Sequence, residues 1–285
     1  MMSTVYLDLR EALASHYDER EARAIAFLVL EEAFGVSRLD VYADKVRHFS
    51  EEEQQRLQFI LQRLRRGEPV QYVLGRAHFC GMNLQVNAAT LIPRPETEGL
   101  VALAVQLAER QHKGGNGLHI VDGGTGSGCI AIALARALPL AEVEAWDVAD
   151  EALAVARRNA TEQGAKICFR QADLLNAPAT PQSIDLLVSN PPYVTDSERS
   201  DMEQHVLDFE PHTALFVPDA DPLKFYRALT RLAAERLTEG GGVAVEINRA
   251  FGRETALLFE EAGLRDVTVH QDDFGCDRFV TARKD

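Results

Sequence analysis

The chain has 285 residues, of which 46% are hydrophobic and 26% charged, and these proportions exclude a disordered or fibrous protein. The length suits one large domain or two. With 30 basic and 44 acidic residues the formal net charge is −14, which disfavours a nucleic-acid partner because binding to phosphates usually needs a basic excess. Residues 1–90 hold 11 basic and 13 acidic residues, whereas residues 91–285 hold 19 and 31, so the acidity is concentrated in the second part.

Neither the cysteines nor the start of the chain points to secretion, a metal site or a membrane. The cysteines lie far apart in sequence, which is typical of reduced thiols in a cytoplasmic protein and not of zinc or redox spacing. No apolar run approaches the roughly 18 residues of a membrane span, and residues 1–20 lack the apolar core of a signal peptide. We therefore expect a cytoplasmic protein with no membrane partner. The cysteines are Cys80, Cys129, Cys168 and Cys276.

Residues 1–67 are predicted to form a helical domain. Ser50 followed by Glu53 is the signature of a capping box at the start of a helix. An apolar stripe then repeats at helical spacing, and Gly67 is expected to end the helix. The stripe comprises Leu57, Ile60, Leu61 and Leu64. Three arginines near the end complement the helix dipole or, alternatively, form a docking face for a partner: Arg63, Arg65 and Arg66.

Residues 68–96 change character and are predicted to form a linker with a small β-hairpin. β-forming residues alternate with breaks at Gly75 and Gly81, which is typical of short strands joined by turns. The β-forming residues are Val70, Tyr72, Val73, Phe79, Leu84 and Val86.

Residues 97–285 are predicted to form an α/β domain with a doubly wound, mostly parallel sheet, because strand and helix patterns alternate. One helix is expected to begin at Glu151, with Asp150 as its cap and Gly164 as its stop. The last two strands are expected to pair antiparallel. The predicted strands cover residues 118–122, 143–147, 167–173, 184–190, 243–247, 267–271 and 278–282.

A glycine-rich turn follows the first of these strands. It contains Gly124, Thr125, Gly126, Ser127 and Gly128 and opens the next helix. Clustered glycines let the backbone approach a ligand closely. No Lys-Ser/Thr pair follows, so it is not a P-loop, and its spacing is not that of a dinucleotide fingerprint. The pattern favours a nucleoside ligand without a pyrophosphate over a purely structural turn.

Carboxylates are predicted at the ends of the next two strands. Asp147 lies where an acceptor for two ribose hydroxyls is expected, although it could instead cap the following helix. Asp173 could accept an adenine amino group while Leu174 covers the ring, or it could be an ordinary residue at a strand end. Ligands of open α/β sheets bind at this edge, so the three features are expected to lie together.

The fourth strand ends in Asn190-Pro191-Pro192-Tyr193. The two prolines stiffen the backbone and remove two N–H donors, which leaves the Asn190 side-chain oxygen and backbone carbonyls as acceptors. Tyr193 could offer a flat face or a hydroxyl beside them. These groups predict a pocket for a planar NH₂ group, and the Asn190 NH₂ group needs a partner of its own.

Together these motifs resemble those of the seven-stranded S-adenosyl-L-methionine-dependent methyltransferases that modify amino groups. Two further strings resemble the bacterial peptide chain release factor glutamine methyltransferases in particular, and with them the similarity covers nearly the whole chain. The strings are Gly67-Glu68-Pro69-Val70-Gln71-Tyr72-Val73-Leu74-Gly75 and Leu91-Ile92-Pro93-Arg94-Pro95-Glu96-Thr97-Glu98.

The resemblance implies methyl transfer to the glutamine of a Gly-Gly-Gln motif in release factors. Asn190, Pro191 and Tyr193 would be catalytic, Pro192 would complete the substrate pocket, and the glycine-rich turn with Asp147, Asp173, Leu174 and Asn190 would bind S-adenosyl-L-methionine. No metal is expected. The N-terminal helical domain would contact the protein substrate.

The resemblance also implies that the segment with Arg94 and Glu98 closes over the active site; the alternative is an Arg–Glu pair that fixes the linker. The sequence departs from the family pattern at Gly123, Leu174, residues 217–221 and Asn248.

Two other functions compete with this one. An adenine amino-group methyltransferase acting on DNA or RNA would use the same NH₂ pocket, but the net charge of −14 disfavours it. A non-enzymatic sensor that binds the cofactor would also fit the fold, but the intact Asn190–Tyr193 motif disfavours it.

Overall fold

The structure is a computed structural model that describes residues 3–45, 48–111, 117–177 and 183–285. The chain divides into two compact units, Met1–Arg76 with Glu203–Phe209, and Ala77–Met202 with Glu210–Asp285. The division falls at residue 76, within the predicted linker of residues 68–96, so the hairpin strand after it belongs to the second unit.

The described residues contain α-helices and β-strands that are numbered here along the chain. The helices are α1 (Thr4–Leu13), α2 (Glu19–Phe34), α3 (Arg38–Tyr42), α4 (Glu51–Leu64), α5 (Val70–Leu74), α6 (Thr97–Glu109), α7 (Cys129–Ala137), α8 (Asp150–Glu162), α9 (Gln204–Phe209), α10 (Lys224–Arg236) and α11 (Gly252–Glu261). The strands are β1 (Arg76–Phe79), β2 (Met82–Gln85), β3 (His119–Gly123), β4 (Glu142–Asp147), β5 (Ile167–Gln171), β6 (Ile184–Ser189), β7 (Val194–Thr195), β8 (Phe216–Val217), β9 (Leu237–Glu246), β10 (Arg265–Gln271) and β11 (Asp277–Arg283).

The first unit is helical, as predicted, and its helices share one buried apolar cluster. The predicted capping box at the start of α4 is present: the Ser50 backbone N–H donates to Glu53 Oε2 at 2.8 Å, and the Glu53 N–H donates to Ser50 Oγ at 3.3 Å. Regular helix ends at Leu64 rather than at Gly67, which has a φ of +79°. Arg63 turns inward and binds Glu68 through Nη2 at 2.5 Å, so this arginine stabilises the helix end.

The predicted hairpin is shorter than expected, because Val70–Leu74 is a helix and not a strand. Pro69 precedes its first turn and Gly75 ends it with a φ of +72°. Val73 is buried in the apolar cluster of the first unit, and this burial outweighs the strand preference of valine. The hairpin itself turns at Cys80 and Gly81, whose φ angles of +47° and +69° are those of a two-residue hairpin loop.

The second unit contains the predicted seven-stranded sheet, with strand order β10-β11-β9-β6-β3-β4-β5. The pairs from β9 through β5 are parallel, whereas β11 is antiparallel to both β9 and β10. This arrangement confirms the doubly wound α/β prediction and the closing antiparallel pair.

Both faces of the sheet are covered, as the alternation of side chains along the central strand shows. Leu186 and Val188 of β6 belong to a cluster that includes Leu100 of α6, whereas Leu187 belongs to a second cluster that includes Leu229 of α10. Successive strand residues point to opposite faces, so a fully apolar strand must be buried on both sides.

Among the predicted element ends that differ from the structure, two bear on the cavity-lining segments. Strand β5 ends at Gln171, so Asp173 lies in the following turn and not in the strand. Asp150 is the first residue of α8 and Ala149 precedes it, so Asp150 is not the cap, and no side chain caps this helix. Within the described ranges, none of the helices is both long and apolar enough to cross a membrane.

Candidate active site

A cavity of about 450 Å³ opens at the carboxyl ends of the parallel strands in the second unit. This volume lies within the range of sites for small organic ligands. Nine of the twelve predicted site residues line it, and three, Gly128, Pro191 and Tyr193, do not. The topology therefore brings most of the predicted residues together, since the ends of neighbouring parallel strands share one edge of the sheet.

The glycine-rich turn forms one wall of this cavity. The Gly124 N–H donates to the Trp146 carbonyl at 2.9 Å, which holds the turn against the end of β4. Gly124 and Gly126 have φ angles of +75° and +55°, a region that favours glycine. A Cβ on Gly124 would lie 3.6 Å from the Leu174 side chain and 4.0 Å from the Asn190 carbonyl, so glycine leaves this space open.

The end of the glycine-rich turn packs against α8. Gly128 has a φ of +82°, and a Cβ there would lie 3.1 Å from Ala156 and 3.2 Å from Ile132. Glycine at this position therefore allows close packing between α7 and α8, and its role in cofactor binding stays a prediction. The Asn159 Nδ2 donates to the Ser127 carbonyl at 2.8 Å, so this buried asparagine supports the turn as well.

A buried carboxyl group lies at the base of the turn. Asp122 Oδ2 accepts hydrogen bonds from Thr125 Oγ1 at 2.6 Å and from the Ala131 N–H at 3.2 Å. Burial raises the pKa of Asp122 to about 7, although both hydrogen bonds oppose the shift. Within the described residues Asp122 Oδ1 has no hydrogen-bond partner, which adds to the cost of burying a charge on this carboxyl group.

Asp147 both supports the turn and faces the cavity. Its Oδ2 accepts from the Gly126 N–H at 2.8 Å, and its Oδ1 accepts from the Ala149 N–H at 2.9 Å. Burial raises the pKa of Asp147, and these backbone hydrogen bonds partly offset the shift. Ala149 immediately precedes α8, so this contact holds the turn before the helix and does not cap it. Each carboxylate oxygen can accept a further hydrogen bond, so the ribose role remains a prediction.

Asp173 and Leu174 lie beside the glycine-rich turn in the cavity lining. Asp173 Oδ1 accepts from the Leu175 N–H at 2.9 Å and Oδ2 from Asn176 Nδ2 at 2.9 Å, so the carboxylate organises its own turn. A Cβ on Gly123 would lie only 2.7 Å from Leu174 Cδ2. The two departures from the family pattern are thus in contact, and the small residue at 123 makes room for Leu174.

Asn190 lies in the cavity lining with its NH₂ group already bound. Its Nδ2 donates to Thr97 Oγ1 at 3.3 Å, and Thr97 Oγ1 donates to Glu246 Oε2 at 2.8 Å. The NH₂ group therefore has the partner that the sequence required, and the amide oxygen remains available to a ligand. Pro192 also lines the cavity, whereas Pro191 is buried.

Tyr193 points away from the cavity lining. Its hydroxyl donates to Glu246 Oε1 at 3.1 Å, and its ring packs on the buried cluster beside α10. Burial raises the pKa of Tyr193, and the nearby charge of Glu246 raises it further. Tyr193 is therefore placed as a donor to Glu246, and its predicted contact with substrate remains untested.

Arg94 and Glu98 do not pair with each other. Arg94 Nη2 binds Glu210 Oε1 at 2.5 Å, and the same buried carboxylate accepts from the Ile92 N–H at 3.1 Å. Glu98 Oε1 instead accepts from the Cys80 N–H at 2.7 Å in the hairpin turn. Arg94 lines the cavity, so a buried glutamate holds this guanidinium at the site.

The remaining departures stabilise the segment after Tyr193. Asn248 Nδ2 donates to the Tyr193 carbonyl at 3.2 Å and to Glu198 Oε2 at 2.8 Å. Burial raises the pKa of Glu198, but hydrogen bonds from Thr195 and Asn248 outweigh it and the pKa is lowered overall. Within residues 217–221, Asp219 Oδ1 accepts from the Ser197 N–H at 2.9 Å.

Several supporting residues were missed by the sequence analysis, namely Thr97, Asp122, Asn159, Glu210 and Glu246. For Asp122 and Glu246 the available signal was an ionisable residue inside an apolar strand. Glu246 ends the run Val243-Ala244-Val245 in a central strand, where an ionisable side chain is unusual.

The comparisons with known proteins agree with this architecture. A model of the PrmC N-terminal domain matches residues 6–75, and a model of the methyltransferase small domain matches residues 99–209. A release factor glutamine methyltransferase from Bacteroides thetaiotaomicron is 44% identical over 284 residues, which cover 99% of this chain and 100% of the relative. One from Geobacter sulfurreducens is 33% identical, over 97% of this chain and 95% of the relative.

The fold also matches that of a methyltransferase from Pyrococcus furiosus known from its crystal structure. The TM-score is 0.51 at 14% identity, over 82% of this chain and 99% of that one. This likeness concerns the fold alone, whereas the sequence relatives span the full chain at much higher identity. The chain therefore belongs to the release factor glutamine methyltransferase family.

Proposed function

We propose that this protein transfers a methyl group from S-adenosyl-L-methionine to the side-chain amide nitrogen of the glutamine in the Gly-Gly-Gln motif of peptide chain release factors. The observation that carries the proposal is the hydrogen bonding of the Asn190 side-chain amide. Its NH₂ group is bound by Thr97, so its amide oxygen is left as an acceptor in a cavity whose other wall is the glycine-rich turn.

The residues of the cavity fit a nucleoside-containing cofactor. The glycine backbone at Gly124 and Gly126 leaves open space, Asp147 offers acceptors for ribose hydroxyls, and Asp173 with Leu174 can receive an adenine ring. S-adenosyl-L-methionine supplies an activated methyl group when it is bound there.

The chemical task of the other wall is to orient an unreactive amide. An amide nitrogen is a poor nucleophile because its lone pair is delocalised into the carbonyl. Asn190 Oδ1 and the Pro191 carbonyl would accept the two amide hydrogens of the substrate and hold its nitrogen in one orientation. The same acceptors stabilise positive charge as it develops on the nitrogen.

No side chain in this scheme has to be a strong base. The substrate nitrogen becomes acidic only as it is alkylated, so its proton can leave after the new bond has formed. The polar groups of the NH₂ pocket therefore need only to accept hydrogen bonds, which is what a carboxamide oxygen and a backbone carbonyl do.

A protein substrate is favoured over a nucleic acid. The segment after Tyr193 is acidic and would repel a phosphate backbone; its acidic residues are Asp196, Glu198, Asp201 and Glu203. Residues 1–67 are nearly neutral and expose Leu39, Tyr42 and Phe59, and we assign recognition of the release factor to them. The four free cysteines agree with a cytoplasmic location.

The proposal is tested by mass spectrometry of a release factor incubated with the protein and S-adenosyl-L-methionine. A mass increase of one methyl group on the Gly-Gly-Gln peptide is expected, and a release factor with alanine in place of that glutamine is the matched control. Methyl transfer to adenine-containing DNA or RNA, with none to the release factor, would contradict the proposal.

A further inference from the structure

We propose that Thr97 and Glu246 are positioning residues that determine which end of the Asn190 side-chain amide faces the substrate. This inference rests on the proposed function and extends it. The oxygen and NH₂ ends of the Asn190 side-chain amide have nearly the same shape, and the inference names the groups that make the oxygen face the substrate. Neither residue belongs to the Asn190–Tyr193 motif, and each reaches it from another element, α6 for Thr97 and β9 for Glu246.

The orientation of the Asn190 amide follows from which groups in this network can donate a hydrogen and which can only accept one. An ionised carboxylate can only accept, so the Thr97 hydroxyl, 2.8 Å from Glu246 Oε2, must donate its single hydrogen to it. The Thr97 oxygen can then only accept from its other neighbour. That neighbour is the Asn190 amide at 3.3 Å, which must present its NH₂ group. The amide oxygen consequently faces the other way, toward a ligand.

Burial leaves the network little freedom to reverse. Glu246 is 1% exposed and Thr97 is 2% exposed, so water cannot readily replace either partner. The second carboxylate oxygen, Oε1, is occupied by the Tyr193 hydroxyl at 3.1 Å. A reversed Asn190 amide would place its oxygen against a Thr97 oxygen whose only hydrogen is already used, and two acceptors would face each other.

The charge of Glu246 is therefore the origin of the polarity. Tyr193, Arg278, Glu96 and the Thr97 hydroxyl face this carboxyl group, and the Arg278 charge stabilises its ionised form while Glu96 opposes it. Burial is the largest influence and raises the pKa of Glu246. Protonation would turn the carboxyl group into a possible donor to Thr97, and the orientation of Asn190 would no longer be enforced.

The variants that test this inference change polarity at nearly constant volume. Thr97→Val removes the hydroxyl, Thr97→Ser restores it, and Glu246→Gln replaces the carboxylate by an amide that can donate. Thr230→Val is the matched control, since Thr230 is also buried and its hydroxyl donates to the Tyr226 carbonyl at 2.7 Å, outside the cavity lining.

The kinetic readout is methylation of a release factor by the full chain. In Thr97→Val and Glu246→Gln, kcat is expected to fall about 10- to 100-fold, as misorientation of a positioned group does. The Kd for S-adenosyl-L-methionine should stay within about twofold, because the glycine-rich turn is untouched. Thr97→Ser should recover most of the loss. The wild type should lose kcat as the pH falls through the pKa of Glu246, and Glu246→Gln should lack this acid limb.

A readout without turnover separates this inference from the proposed function. In protein labelled with ¹⁵N-asparagine, the Asn190 side-chain NH₂ signals, identified by their loss in Asn190→Ala, should shift and exchange faster with water in Thr97→Val but not in Thr230→Val. A wild type that fails to methylate release factors contradicts the proposed function alone. Wild-type kcat in Thr97→Val, or unchanged Asn190 signals, overturns the role of Thr97 and Glu246.

Discussion

The two walls of the cavity are built in different ways. The wall proposed to bind the cofactor is local: Asp173 binds the N–H two residues ahead of it, and Asp147 binds a backbone N–H only 21 residues away. The wall proposed to bind the substrate is assembled over long distances, since the contacts of Asn190 with Thr97 and of Thr97 with Glu246 span 93 and 149 residues. Backbone amides and glycine conformations form the first wall, and buried side chains position the second.

This difference implies a division of labour. Substitutions in the glycine-rich wall should weaken cofactor binding and leave kcat at saturating cofactor largely unchanged. Substitutions in the wall that contains Asn190 should lower kcat and leave cofactor binding unchanged. Each of the following changes tests one side of that division.

The largest effect is expected for Asn190→Ala. Loss of the amide oxygen removes one of the two acceptors that orient the substrate amide, so kcat should fall about 100-fold or more. The Kd for S-adenosyl-L-methionine, measured by titration calorimetry, should change by no more than about twofold. A variant with wild-type turnover would show that Asn190 does not hold the substrate.

Asp147→Ala should act on the other wall. It removes the acceptor for the Gly126 N–H and the expected acceptor for ribose hydroxyls, so the Kd for S-adenosyl-L-methionine should rise about 10- to 100-fold. At saturating cofactor, kcat should recover to within a few-fold. The control is Asp150→Ala, an exposed carboxylate three residues further along, which should bind cofactor like the wild type. Equal affinity in both variants would contradict the ribose role.

A smaller effect is expected for Asn248→Gly, which introduces the residue usual in the family. The buried Asn248 side chain links Glu198 to the Tyr193 carbonyl, and loss of hydrogen bonds to a charged group costs about 1.5–3 kcal/mol. Chemical denaturation should show a loss of stability of this order, with kcat lowered several-fold and the cofactor Kd unchanged. A variant as stable as the wild type would mean that these hydrogen bonds of Asn248 contribute nothing to stability.

The last prediction concerns the pH dependence of stability and Asp122 beneath the glycine-rich turn. Its folded pKa of about 7 exceeds the ordinary value of 3.8, so the folded state binds an extra proton between these pH values. Stability contributed by this group is full below the lower value and is lost as the pH rises through the upper one. Asp122→Asn should therefore show a smaller decline of Tm between pH 5 and pH 8 than the wild type in thermal melts. Parallel Tm profiles would mean that Asp122 ionises normally.

Local patterns were enough to predict the strands of the seven-stranded sheet and where the glycine-rich turn, Asp147 and Asn190 lie relative to them. The glycine-rich turn, Asp147 and Asn190 each lie at the end of an apolar strand. The carboxyl ends of parallel strands lie at one edge of the sheet, and this does not depend on the conformation of the loops. The same reasoning was wrong at Val70–Leu74, where packing in the first unit turned a β-forming stretch into a helix. It was also wrong at Asp150, which begins α8 and does not cap it.

The sequence by itself determined the fold class and which strand-end residues meet in the cavity, because these depend on periodicity and on residues close together in the chain. Only the tertiary structure decided which way the Asn190 amide faces, which glutamate holds Arg94, and that Tyr193 points to Glu246. Those outcomes depend on buried hydrogen bonds between residues 53 to 149 positions apart, and the sequence carries no local signal for such pairings.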